Sequence, residues 1–355
     1  MSNFNRPSRR RQFDGGPTLS GNTYAGDAAL PFLAPALKAN DTVGKGYVTL
    51  LENVRYKAVM NSTSIANDLI VAASGADANC GFQDGDSVTV TDRVLTVTDM
   101  KVNEELCRAT IQPHWQGATG SRHSDWANDS FRNFVMAQVA AKAAEKVEDL
   151  IWKGGSGLNT GFLSNDGTYD TTGYGNSILG SGGGATELDW GSGTLSATNV
   201  IDNMGATYQK AATDRSAILS KSDCAMYVSS KTFALYQQAL ATAGGAIAAV
   251  PSTATSGTTT TGTGYNAQVT NQNLSELSFL GLPVLRCPGM PDNIVLITPK
   301  SNLFVGTNLR TDLTEARYVP VYEFDGSDNI RVVMRFGLGV QCGVQADVVV
   351  GAYFI

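Results

Sequence analysis

The sequence predicts an α+β fold hung on one unusually long helix, and three observations carry that reading. Residues 125–153 place apolar side chains at Phe131, Phe134 with Val135, Val139, Ala143, Val147, and Leu150 with Ile151, a helical spacing that no Gly or Pro interrupts. Short β-rich runs gather in the last third of the chain, at 277–306 and 318–355. Ahead of the helix, residues 57–108 read as a long two-stranded excursion with no helix beside it to cover its apolar face.

Taken in order, residues 1–46 form an arm, polar and rich in Gly and Pro. Such a segment has too few apolar groups to offset about 1–2 kcal/mol of backbone entropy per residue. Its ordering is therefore expected to come from neighbouring chains. Residues 47–56 lead into a strand. Within 57–108, the runs 88–91 and 94–97 alternate with period two after Asp84-Gly85-Asp86 and are expected to be strands of a ribbon that lies on a neighbour. Residues 100–115 allow a strand followed by a short helix.

The long helix starts at a Ser124 or Asp125 cap and stops at Gly154-Gly155. Its 29 positions imply a rod of roughly 43 Å. Asn133, Lys142, Glu145, Lys146, Glu148 and Asp149 exclude a membrane span, and apolar heptads do not continue outside it. A spine that supports flat β units remains. After an irregular Gly, Ser and Thr stretch over 164–193, Val200, Ile201, Met204, Tyr208 and Ala211 mark an amphipathic helix at 196–212. A buried strand at 225–228 precedes a helix through Leu240, and the Thr-rich run 251–264 reads as an exposed loop. Strands are expected at 277–279, 282–285, 294–297, 303–306, 318–324, 330–336 and 345–355.

Apolar residues make up 42% of the 355, enough for two or three packed units. Charged residues make up only 16%, against a usual quarter, beside 38 Gly. A surface so poor in charge is expected to be covered by other copies. The formal net charge of -6 argues against a general nucleic-acid binder. One local exception is Arg6, Arg9, Arg10 and Arg11, which precede the first acid, Asp14. The five cysteines are scattered, with no CxxC pair, and are expected to be reduced and mostly buried. Arg10-Arg11 is followed by Asp14-Gly15-Gly16-Pro17 rather than an apolar stretch, which rules out a twin-arginine export signal.

Chemical motifs are weak. Gly154-Gly155-Ser156-Gly157 follows a helix and lacks the Lys-Ser/Thr of a phosphate loop, so a helix cap is the better reading. Ser121, His123, Ser124 and Asp125 are too close in sequence to converge as a catalytic triad. Cys107, His114 and His123 fit no common zinc spacing. No catalytic residue, cofactor or metal is therefore expected. Arg6, Arg9, Arg10 and Arg11 suit either DNA phosphates or carboxylates of an adjacent chain, since the guanidinium fork fits both.

Three stretches carry a family likeness: Ile151-Trp152-Lys153-Gly154-Gly155-Ser156-Gly157 with Gly161-Phe162-Leu163; Phe279-Leu280-Gly281-Leu282-Pro283-Val284 through Met290-Pro291; and Asn302 to Leu309 with Asp312. In this order, along nearly the whole chain, they resemble the major capsid protein of tailed double-stranded DNA bacteriophages, the Hong Kong 97 fold. The resemblance implies an N-terminal arm (1–46), an extended loop (57–108), a peripheral domain (109–194) with the spine helix, an axial domain (195–300), and returning strands (301–355). It implies a non-enzymatic subunit that self-assembles through pentamers and hexamers into an icosahedral shell around double-stranded DNA. The shell is expected to assemble in the host cytoplasm and end in the virion, with separate scaffolding, portal and decoration proteins as partners and no membrane. Some relatives crosslink a loop Lys to an Asn; Lys57 or Lys101 with Asn302, Asn308 or Asn329 would be the candidates here, and no motif singles out a pair. An encapsulin-like nanocompartment shell is the alternative within the fold. Outside it stand a hydrolase with a Gly-rich lid and a Thr-rich extracellular adhesin, and the absent export signal opposes the adhesin.

Overall fold

A computed structural model describes residues 23–25, 41–65, 88–107, 109–111, 113–114, 129–155, 161–163, 186–247, 277–308, 315–321 and 326–353. The elements are β1 (Thr23–Ala25), α1 (Asp41–Gly44), β2 (Thr49–Leu51), β3 (Lys57–Ile65), β4 (Val88–Thr96), β5 (Thr98–Cys107), α2 (Asp129–Lys153), β6 (Thr186–Asp189), α3 (Val200–Asp214), α4 (Ser216–Leu219), β7 (Cys224–Val228), α5 (Ser230–Ile247), β8 (Ser278–Phe279), β9 (Leu282–Arg286), β10 (Ile294–Pro299), β11 (Leu303–Thr307), β12 (Glu315–Pro320), β13 (Asn329–Cys342) and β14 (Val349–Ala352). They form two six-stranded mixed sheets and one separate two-stranded ribbon.

The spine is helix α2, 25 residues and therefore about 37 Å long. The four residues expected ahead of it, 125–128, lie outside the described residues. Phe131, Val135, Met136, Val139, Ala140, Ala143, Val147, Leu150, Ile151 and Trp152 are buried in one cluster with residues from both large sheets. Its end shows why the Gly turn is there. Gly154 and Gly155 have φ of 69° and 96°, a left-handed conformation that glycine adopts without penalty. The chain then doubles back, and the amides of Phe162 and Leu163 donate to the carbonyls of Ile151 and Trp152 at 2.9 and 2.8 Å. Those carbonyls would otherwise be orphans of the last helical turn. Gly161 lies so close to Gly154 that a Cβ there would collide with the backbone.

The first sheet runs β1-β12-β13-β11-β2, with β5 also paired to β13. β13 buries Ile330, Val332, Met334, Phe336, Leu338, Val340 and Cys342, every second residue, in the cluster that holds α2, and from Phe336 to Val340 the intervening glycines are buried too. The second sheet runs β6-β14-β10-β7-β9-β8, and its central strands β14, β10 and β7 are buried on both faces. Ala225 and Tyr227 of β7 face the spine cluster, whereas Cys224, Met226 and Val228 face α3 and α5. This two-sided burial is why Ile294-Val295-Leu296-Ile297 reads as an unbroken apolar run.

Several expectations need correction. Residues 98–107, assigned to the extended excursion, are β5, which pairs over ten positions with β13 from Thr98↔Leu338 to Cys107↔Asn329. The runs 88–91 and 94–97 are not two strands but one, β4, whose partner is β3. The arm expected over 1–46 is not wholly separate from the subunit: β1 pairs with β12, and α1 is pinned to the spine. β12 ends at Pro320 rather than continuing to 324, and 345–347 is a 3₁₀ turn ahead of β14. The loop 251–264 lies outside the described residues.

Candidate assembly surface

The ribbon β3–β4 pairs antiparallel from Lys57↔Thr96 to Ile65↔Val88. Its inner end is seated on the first sheet through small residues. Leu95 is fully buried and Val97 nearly so. A Cβ on Gly306 would collide with Leu95, one on Gly337 with Val97, and one on Gly339 with the Thr96 carbonyl. Three glycines inside β11 and β13 thus open a trench that admits the β4–β5 corner, as strand glycines do where another backbone comes close. The amide of Val97 donates to the Tyr56 carbonyl at 2.8 Å, and Gln341 Nε2 donates to the Val94 carbonyl at 3.1 Å.

Beyond this seat, one face of the ribbon is exposed and carries three valines beside Lys57, Asn61 and Asp92. Val59 and Val94 are directly paired across the strands, and Val90 lies on the same face by the period of two. They are 61%, 42% and 60% exposed. The face is mixed, because the Asn61–Asp92 pair lies between the Val59–Val94 pair and Val90.

A second feature ties the start of the subunit to the spine. Glu148 is buried on α2. It accepts from the Thr42 amide at 3.3 Å and from the Thr42 hydroxyl, while Trp152 Nε1 donates to Thr42 Oγ1 at 2.9 Å. Burial pushes the Glu148 carboxyl above the ordinary glutamate value; hydrogen bonds from Thr42 and Gly289 oppose this, and Asp41 adds to it. A raised carboxyl binds more protons folded than unfolded. Its contribution is therefore most favourable below the ordinary glutamate value and is lost as pH rises through the folded one. Glu148→Gln is expected to lack this decline, so the variant should gain stability relative to the native protein as pH rises across that window. Urea midpoints at stepped pH check it; a difference independent of pH would contradict it. Sequence reasoning counted Glu148 only as a charge against membrane insertion. The available signal was its place four residues before Trp152 on the apolar stripe.

The residues singled out from sequence are spread widely. Arg6, Arg9, Arg10 and Arg11, and likewise Ser121, His123, Ser124 and Asp125, lie outside the described residues. Cys107 is exposed at the end of β5, while Cys224, Cys287 and Cys342 are buried. Burial pushes the Cys224 and Cys342 thiols up to about 11 and about 12, leaving them protonated and inert. Lys57 is exposed and lies 5.0 Å over the Tyr56 ring. Of the asparagines, Asn302 donates to the Thr298 hydroxyl and the Val344 carbonyl, Asn308 accepts from the Gly337 amide, and Asn329 donates to Glu105 at 2.7 Å. Lys101 lines a groove of about 830 Å³ between β5 and α2, with Phe134, Val139, Lys142 and Lys146. No group of three metal-binding side chains occurs among the described residues, and no helix there is long and apolar enough to cross a membrane.

No family model matches the chain, and no curated protein matches it by sequence. Solved structures do. One of Mycobacterium phage Adephagia matches with a TM-score of 0.50 at 13% identity, over 89% of this chain and 90% of that one. The capsid of the native GTA particle, computed with C5 symmetry, gives 0.49 at 13% identity over 88% and 89%. The satellite phage P4 procapsid, which includes the size determination (Sid) protein, gives 0.49 at 10% identity over 91% and 98%. The mixed helix-and-sheet fold of this chain is thus the fold of the Adephagia structure.

Proposed function

We propose that this chain is a major capsid protein, a structural subunit rather than an enzyme, which self-associates into the icosahedral head enclosing phage double-stranded DNA. The observation that carries this reading is the seated ribbon β3–β4 with Val59, Val90 and Val94 exposed, on a fold shared with a phage structure. A ribbon held firmly at one end, with three exposed valines along its outer face, suits a bed on another copy. In Hong Kong 97 terms, β3–β4 is the extended loop, α2 and the first sheet form the peripheral domain, and the second sheet with α3 and α5 forms the axial domain. Pentamers and hexamers of the chain close the shell, and its place is the virion. Arg6, Arg9, Arg10 and Arg11 face packaged DNA, an acidic patch of a neighbour, or both in turn. Separate scaffolding, portal and decoration proteins complete the set of partners.

Sedimentation of the purified protein tests this. The expected species is a fast-moving particle of many subunits. A lone 37.4 kDa species at every concentration would overturn it.

A further inference from the structure

Leu95 and Val97 are buried, yet they belong to neither of the subunit's two core clusters. What they fill is the glycine trench. Gly306 and Gly339 are cross-strand partners, and Gly337 lies two residues along β13, so the three bare positions share one face of the first sheet. Leu338 and Val340 point the other way, into the spine cluster. A second anchor holds the approach to β3, where the Val54 amide donates to the Thr307 carbonyl at 3.0 Å. Farther out, Met60 and Arg93 are directly paired on the same face as Leu95 and are half-buried; Met60 lines a crevice with Phe304 and Val344. One attachment would leave the ribbon free to swing. Attachments on both strands, spaced along its length, do not.

We propose that the glycine trench is a socket that sets the ribbon's direction in the free subunit, independently of the core, so that the ribbon meets a second copy already aimed. The aiming rests on the shell-subunit reading; the socket does not. A preset direction removes the ordering cost that a swinging ribbon would carry into each contact.

The test uses the full chain, unassembled, with two opposite misfits. Leu95→Ala empties the socket, and Gly306→Ala fills it against Leu95. Either should speed hydrogen exchange of the Val97 amide about tenfold or more while the amides of α2 keep their native rates. Combined, they should disturb Val97 less than Gly306→Ala alone, because Leu95→Ala vacates the space that the new methyl needs. Each single variant should also need about tenfold more protein to form particles. Native exchange at Val97 in either single variant, or additive effects in the pair, would overturn the socket. Exchange raised equally across α2 would overturn its independence of the core. A loosened ribbon with native assembly would overturn the aiming and leave the shell reading intact. A native chain that forms no particles would overturn that reading and the aiming together, with the exchange rates still deciding the socket.

Discussion

Replacing Trp152 by alanine should cost the isolated subunit about 3–5 kcal/mol, the range for deleting a buried tryptophan. Trp152 is fully buried, with ring centroids 5.4 Å from Phe162 and 5.9 Å from Tyr227. It therefore joins the end of the spine, the returning turn and the second sheet in one contact. Its Nε1 also holds Thr42, which in turn satisfies buried Glu148. Alanine would leave both a cavity and a loosened polar pair. Since whole domains are stable by only about 5–15 kcal/mol, the loss should be plain in a urea titration as a lower midpoint. Trp152→Phe, which keeps a ring but loses the donor, should cost less, about 1–3 kcal/mol. A loss under about 1 kcal/mol for alanine would mean that this junction does not organise the subunit.

The second large effect concerns assembly rather than folding. Changing Val59, Val90 and Val94 together to serine should leave the subunit folded, because exposed positions contribute little to the isolated chain, about 0.5 kcal/mol or less each. If the three are buried by a neighbour, each loses about 1.5 kcal/mol or more of apolar transfer, so one ribbon weakens by roughly a thousandfold. Repeated over every subunit, that should abolish particles at concentrations where the native chain forms them. Circular dichroism and sedimentation read the two halves separately. Unchanged particles would show that the ribbon face is not an assembly contact.

What was legible in the sequence follows burial. The spine was readable because 25 residues repeat one apolar stripe with no Gly or Pro. β7 and β10 were readable because both faces are buried and the runs stay apolar throughout. β5 was misplaced because Lys101, Asn103, Glu104 and Glu105 leave only Met100, Val102 and Leu106 to mark the buried side. Its strand character comes from pairing with β13, a partner more than 200 residues away. β1 has three residues and no pattern at all. The ribbon was foreseen as an uncovered excursion, but its seat was not. Gly306, Gly337 and Gly339 look like ordinary strand breakers until the β4–β5 corner is laid into them.

The most direct measurement is an electron cryomicroscopy reconstruction of the particles formed by the purified chain. It should show a closed icosahedral shell in which the Val59, Val90 and Val94 face of each ribbon lies against an adjacent copy. A reconstruction in which that face is bathed in solvent, or folded back onto the chain's own spine helix, would contradict the account.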